Sequence, residues 1–338
     1  MNITLGLLII AIGAFCQSSC YVPIKRIKQW SWESYWLVQG VFAWLVFPLI
    51  GALLAVPEGY SLIELFTSAS TLNVLMTILF GILWGIGGLT FGLSMRYLGV
   101  ALGQSIALGT CAGLGTIMGP VLLHLFFPEQ NPLAQLTTAV LIGVAVTLIG
   151  IAIIGAAGAM KAKQVNGEKT NTEFNFPKGI TIALLAGFMS GCFNVGLTFG
   201  ADIHFELSAP IFATLPATLL VTMGGFMTNL IYCLYQNHKN KTFSDYKSGW
   251  KNNLLWCCLA GLLWYSQFFG LALGKGFIPT ESALYVVAFC VLMALNVIFS
   301  NVWGIILKEW HGCNKKTIIV LIVGIATLVL SCFLPQWI

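Results

Sequence analysis

Aromatic and amide side chains set inside long apolar runs are the residues here best suited to chemistry. Trp264, Gln267 and Phe268 fall at i, i+3 and i+4, so a helix would carry them on one face, with Tyr265 beside them. An indole face packs against C–H groups, and a neighbouring amide bonds to hydroxyls. That pair suits a sugar-like, polyhydroxylated solute. Trp84 has a comparable setting among Gly81, Gly85, Gly88 and Gly92. Their spacing of three and four residues gives a small-residue side, where helices approach closely or where a solute finds room. Gln104, Asn194, Asn229 and Asn296 are further amides in apolar surroundings, each suited to an interhelical hydrogen bond as well as to a ligand. Ionisable candidates are fewer. Glu33 starts one apolar run close to Lys28, Glu281 is expected in the first turn of another after Pro279, and His124 lies near the end of a third. Their plain reading is an interfacial ion pair or a helix-dipole partner. If an ion is coupled to the solute, one of these three is the expected titrating group. A carboxylate in a partly dry cavity would hold its proton to higher pH.

The elements that must carry these residues follow from composition. Only 8% of the 338 residues are charged and 58% are hydrophobic. A soluble domain carries roughly 25% charged residues, so a soluble fold is excluded, as is disorder. A helix crossing a bilayer needs about 20 mostly apolar residues, whereas membrane strands alternate apolar and polar positions. The runs here are unbroken, which predicts an all-α polytopic membrane protein. Ten spans are expected, near 3–23, 34–56, 72–95, 98–126, 136–157, 179–200, 209–235, 253–274, 281–307 and 317–337. The connections are short apart from 158–178 and 237–251. No cleavable leader is expected, because no basic segment precedes the first run. Nine of the ten cysteines lie in or beside these runs, and none forms a C-x-x-C pair. They read as small buried apolar groups rather than as metal ligands or a disulfide framework.

Charge gives an orientation. Fifteen of the sixteen Lys and Arg residues fall in loops that follow odd-numbered spans, and Lys275 is the exception. With the acids included, one side carries +10 and the other −5. By the positive-inside rule the odd loops are cytoplasmic and both termini lie outside. Those basic loops serve topology, so no nucleic-acid partner is expected; the lipid bilayer is.

A shift of 180 residues superposes two segments. Leu79-Phe80-Gly81-Ile82-Leu83-Trp84 matches Leu259-Ala260-Gly261-Leu262-Leu263-Trp264 at four of six positions. Val140-Leu141-Ile142 matches Val320-Leu321-Ile322, and Thr147-Leu148 matches Thr327-Leu328 in the same register. A looser match near a shift of 173 pairs Gly6 with Gly179 and Phe15 with Phe188. A five-span repeat is odd-numbered, so its second copy is inverted. The expected organisation is a first repeat over 1–157, a cytoplasmic linker over 158–178 and a second repeat over 179–338. Inverted repeats recur in secondary transporters.

Several strings also resemble a known family. Tyr21-Val22-Pro23-Ile24-Lys25-Arg26-Ile27-Lys28-Gln29-Trp30-Ser31-Trp32-Glu33 is similar to the first loop of the L-rhamnose/proton symporter family, within the drug/metabolite transporter superfamily. So are Trp84-Gly85-Ile86-Gly87 with Ser94-Met95-Arg96-Tyr97-Leu98-Gly99, Trp264-Tyr265-Ser266-Gln267-Phe268-Phe269, and Leu307-Lys308-Glu309-Trp310. The resemblance runs nearly end to end. It implies a ten-span importer of a small sugar, L-rhamnose or a related monosaccharide, driven by protons across the bacterial inner membrane. The chain departs from the family's pattern at Gly88, at Gln104 and after Ile278-Pro279.

On these readings Trp84, Trp264, Tyr265 and Gln267 are expected to line a sugar site, with Asn229 and Gln104 as further candidates. Glu33 and Glu281 are expected in proton coupling or gating. Sodium is the alternative ion. No metal and no cofactor are expected. An exporter of amphipathic metabolites is the rival within transport. A membrane sensor or scaffold without transport is the rival from another class. An enzyme is not expected, because the four histidines lie in four separate segments and the spans hold no carboxylate pair.

Overall fold

The computed structural model describes residues 2–98, 100–166 and 175–337. Among them are ten helices long and apolar enough to cross a membrane. We number them span 1 Ile3–Ile24, span 2 Trp32–Leu53, span 3 Thr71–Met95, span 4 Gly103–Phe126 and span 5 Thr138–Gln164. Span 6 is Phe176–Phe199, span 7 Pro210–Asn240, span 8 Trp250–Lys275, span 9 Ala283–Ile306 and span 10 Lys315–Gln336. Every expected run becomes one of them. Large apolar side chains such as Leu75, Ile149, Ile231, Leu255 and Ile319 stay exposed along them, as lipid contact requires.

The differences lie at the ends. Span 5 was expected to stop at 157, yet its helix continues to Asn166. Ala, Met, Lys and Gln there are good helix formers, so the helix outlasts the apolar run. The linker expected from 158 therefore starts later, and its residues 167–174 lie outside the described residues. Span 7 runs on to Asn240 and is stopped by Lys241 in the left-handed conformation. A short helix, Leu62–Ser68, was not expected between spans 2 and 3. It is opened by a reciprocal cap: Ser61 N–H donates to Glu64 Oε2 at 2.8 Å, and Glu64 N–H to Ser61 Oγ at 3.3 Å. Glu281 does not sit in the first turn of span 9. Ser282 caps that helix by accepting from Tyr285 N–H, which leaves Glu281 exposed in the preceding turn.

Span 2 is not a uniform α-helix. Val41–Val46 forms a wider π turn, in which Phe47 N–H donates to Phe42 O. Pro48 supplies a cause. It has no N–H to give, and its ring crowds the carbonyl four residues back, on Trp44. Widening the turn relieves that clash and changes the phase of Trp44.

The chain divides into two compact units: unit 1 is Met1–Gly85 with Gly196–Phe277, and unit 2 is Ile86–Val195 with Ile278–Ile338. Each unit draws helices from both halves of the sequence. In unit 1, Gly6, Gly13, Gly270 and Gly274 bring spans 1 and 8 together, and a methyl group on Gly13 would lie 3.2 Å from Gln267 Cα. Gly81 and Gly85 of span 3 meet Val221 and Gly225 of span 7, while Gly261 of span 8 meets Phe42 and Ala43 of span 2. Unit 2 pairs spans 5 and 10: Gly150 packs on Leu328, and Gly324 packs on Ile154. The expected stripe of four glycines in span 3 therefore divides. Gly81 and Gly85 serve close packing, but a side chain at Gly88 would enter open space.

Candidate functional site

The widened turn of span 2 places Trp44 at the centre of an aromatic cluster in unit 1. Its ring centroid lies 5.6 Å from Trp36, 6.2 Å from Trp84 and 5.6 Å from Trp264, edge to face in each case. Trp84 and Trp264 are 5.8 Å apart, and Phe268 closes the group at 5.3 Å from Trp264. The two tryptophans singled out by the sequence are thus brought together. Trp36 and Trp44 are additions. Edge-to-face contacts set the positive ring edge against the negative face and hold each ring in a fixed attitude.

The polar groups around this cluster divide into occupied and open. Asn229 is buried and both of its polar atoms are engaged: its Nδ2 donates to Gly225 O at 2.8 Å, and its Oδ1 accepts from Trp36 Nε1 at 3.0 Å. It positions an indole. Gln267 is buried and donates to Trp264 O at 3.2 Å. Tyr265 turns towards Gly51 in span 2, and its buried hydroxyl has no partner among the described residues. The same holds for Trp44 Nε1 and Gln39 Oε1. A buried orphan of this kind costs about 1–3 kcal/mol, which a water or a solute hydroxyl would offset. Three of them in spans 2 and 8 mark where a polar solute gains most.

Beyond one end of the cluster, unit 1 closes with a polar network between residues 28–34 and 237–253. Glu33 Oε1 accepts from Asn240 Nδ2 and from Thr242 Oγ, each at 2.9 Å. Amide and hydroxyl partners thus stand where the sequence suggested Lys28. Asn237 Oδ1 lies 3.0 Å from both Ser34 Oγ and Thr242 Oγ, and so shares the single proton of Ser34 with Asp245 and that of Thr242 with Glu33. Asp245 Oδ2 accepts from Ser31 N–H at 2.7 Å and Ser34 Oγ at 3.0 Å. Partial burial pushes the Asp245 carboxyl up, but the hydrogen bonds from Ser31 and Ser34 outweigh it and hold the group below the ordinary value. Trp30 Nε1 donates to Ser248 O at 2.7 Å, and Asn253 Nδ2 to Lys28 O at 2.8 Å.

Gln104 lies in unit 2, in a pocket of about 440 Å³ shared with Ser105, Lys161, Asn301 and Trp310. Glu281, also in unit 2, is an exposed turn residue that accepts from Thr280 Oγ at 3.0 Å. His124 Nδ1 is buried at the end of span 4 without a partner among the described residues. Seven of the ten cysteines are buried, and all ten are free.

Ten helices long and apolar enough to cross a bilayer define a multi-pass membrane protein. The chain matches the L-rhamnose-proton symport protein family over residues 1–334, and it belongs to that family. It is 33% identical over 339 residues to an L-rhamnose-proton symporter of Cronobacter sakazakii, covering 97% of this chain and 96% of the relative. Relatives of the same name in Klebsiella pneumoniae subsp. pneumoniae and Yersinia pestis are each 34% identical, with the same coverage.

Proposed function

We propose that this protein carries L-rhamnose, or a closely related monosaccharide, inward across the bacterial inner membrane together with a proton, and performs no catalysis. The observation that carries this reading is the full-length relationship to proteins named L-rhamnose-proton symporter. The aromatic cluster supports it. Trp84 and Trp264 offer ring faces to the C–H side of a sugar, and Tyr265 and Gln267 offer polar groups to its hydroxyls. Asn229 acts by holding Trp36, and Gln104 is proposed to meet the sugar in the pocket of unit 2. Glu33 is proposed as the gating or coupling carboxylate through its hold on Asn240 and Thr242. Glu281, exposed in the turn before span 9, is proposed as a second coupling or gating carboxylate. On the charge rule, the network around Glu33 and both polar connections face the cytoplasm, with the termini outside.

The inverted repeat remains part of this proposal, and contacts within each unit support it. The matched glycines 81 and 261 meet spans 7 and 2, which a five-span repeat pairs with each other. Gly150 on Leu328 and Gly324 on Ile154 are one contact made twice, since Gly150 and Gly324 lie 174 residues apart and so do Ile154 and Leu328. Reciprocity of that kind is what a two-fold relation requires.

The test is uptake of labelled L-rhamnose by cells making this chain, with and without a protonophore. Accumulation that the protonophore abolishes is expected. No uptake, or uptake indifferent to the proton gradient, sinks the symport reading. Trp264→Ala is expected to weaken sugar binding while the protein still inserts, and unchanged affinity removes Trp264 from the site.

A further inference from the structure

The pocket in unit 2 combines features that the aromatic cluster does not account for. Spans 4, 5 and 9 bound it, with the turn at Glu309 and Trp310 at its rim. Its volume of about 440 Å³ falls within the roughly 300–1,000 Å³ of small-molecule sites. Gln104 and Ser105 enter it from span 4, and Ser300 and Asn301 from span 9. Polar side chains in membrane helices normally pair with a neighbouring helix or face a cavity. Asn301 donates to Val297 O in its own helix at 2.8 Å, and that bond leaves its carbonyl oxygen available. Among the described residues, Gln104, Ser105 and Ser300 make no side-chain hydrogen bond to the protein. These groups have a volume in front of them and no interhelical partner.

The charges at the rim decide the ligand class. Lys161 Nζ lies 3.7 Å from Glu309 Oε2 and 4.6 Å from the Trp310 ring centroid. The two charges cancel. A phosphate or carboxylate would meet Glu309, and an amine would meet Lys161. A neutral solute bearing both donors and acceptors meets neither penalty. It finds amides and hydroxyls on two helices and an indole at the rim. Glu309 is half-exposed, and an ion pair of that kind is weak. The pair therefore opens and closes easily over the mouth.

We propose that this pocket is a second sugar station, holding a neutral monosaccharide between Gln104, Ser105 and Asn301, with Lys161 and Glu309 closing it over Trp310. The station rests on the sugar-transport reading. Lys161 lies near the polar end of span 5, the end that the charge rule assigns to the cytoplasm. A sugar held there has passed most of the way in, so the station is one of release.

The test uses the purified full-length protein and direct binding of labelled L-rhamnose, with D-glucose, D-galactose and L-fucose as competitors. Asn301→Leu and Gln104→Leu keep side-chain size and remove the polar groups. Each is expected to weaken one of two L-rhamnose binding events at least tenfold, the other keeping its affinity, while the sugar-free melting temperature stays at the wild-type value. Two wild-type binding events in both variants, or only one in the wild type, overturns the station and leaves the transport reading standing, since wild-type uptake in vesicles tests that separately. A wild-type protein that binds none of these sugars overturns both. Should Asn301→Leu fail to fold, Gln104→Leu decides alone. Lys161→Met separates closure from binding: faster sugar release with unchanged association is expected, and an unchanged release rate removes the ion pair from the proposal.

Discussion

Two regions, the network around Glu33 and Asp245 in unit 1 and the pocket around Gln104 in unit 2, treat polar side chains in opposite ways. In unit 1 the acids Glu33 and Asp245 are answered by amides, hydroxyls and a backbone N–H from segments some 200 residues away. In unit 2 Gln104, Ser105 and Ser300 face open volume, and the ion pair at the rim is half in solvent. Polar groups that answer one another hold a fold. Polar groups that answer nothing in the protein add little to stability and are free to meet a solute. The difference separates residues whose loss unfolds the protein from residues whose loss changes only what it binds.

The largest effect is expected at Trp44. It is 3% exposed and meets three other indoles. Trp44→Ala is expected to cost roughly 3–5 kcal/mol, the range for deleting a large buried aromatic. Thermal unfolding in detergent measures this, and a loss below about 1 kcal/mol would show that the cluster is loosely packed. Next comes Glu33→Ala, which strips Asn240 and Thr242 of a charged acceptor. A loss of about 1–3 kcal/mol is expected. Glu33→Gln separates gating from support, because it keeps the acceptor oxygen and removes the charge. Near wild-type stability with lost proton-driven accumulation is its expected result, and wild-type accumulation eliminates Glu33 from coupling.

How much of this was legible in the sequence depends on the distance over which each signal acts. Ten spans were readable because hydrophobicity is local and a bilayer sets their length. The meeting of Trp84 and Trp264 was foreshadowed by the repeated L-x-G-x-L-W string. Trp44 was hidden, since helical periodicity assumes an unbroken α-helix; Pro48, four residues later, was the available clue. Glu281 was misplaced because Ser282, a cap residue, was not read as the helix start. The capping pair Ser61 and Glu64 was present in the sequence too. The network from Glu33 to Asn240 was beyond reach, because only the packing of spans 2 and 7 brings those segments together. Repeat register was partly legible: a shift of 180 residues matches strings in spans 3 and 8 and in spans 5 and 10, whereas the reciprocal contacts of Gly150 with Leu328 and Gly324 with Ile154 relate positions of spans 5 and 10 that lie 174 apart.

A smaller effect tests the other side of the comparison. Ser300→Ala and Gly88→Ala both alter groups that face open space. Each is expected to change stability by less than about 0.5 kcal/mol, as for surface sites generally. Gly88→Ala is expected to lean towards stabilisation, because Ala is the better helix former. A loss above about 1 kcal/mol for Ser300→Ala would mean that the pocket supports the fold, and the contrast between the units would fail.

The smallest effect is the pH dependence of Asp245. Its carboxyl titrates below the ordinary value because hydrogen bonds from Ser31 and Ser34 favour the charged form over the penalty of partial burial. A group with a depressed folded pKa stabilises the protein above its unfolded pKa, about 3.9 for Asp. That contribution is lost as pH falls through the lower folded value. Asp245→Asn removes it. The melting-temperature gap between wild type and Asp245→Asn should hence be constant from neutral pH down to about pH 5 and shrink below pH 4. A gap that widens on acidification would reverse the sign of the linkage. It would mean that the 28–34 and 237–253 segments are held by the neutral acid, and that the closure of unit 1 strengthens rather than weakens as protons bind.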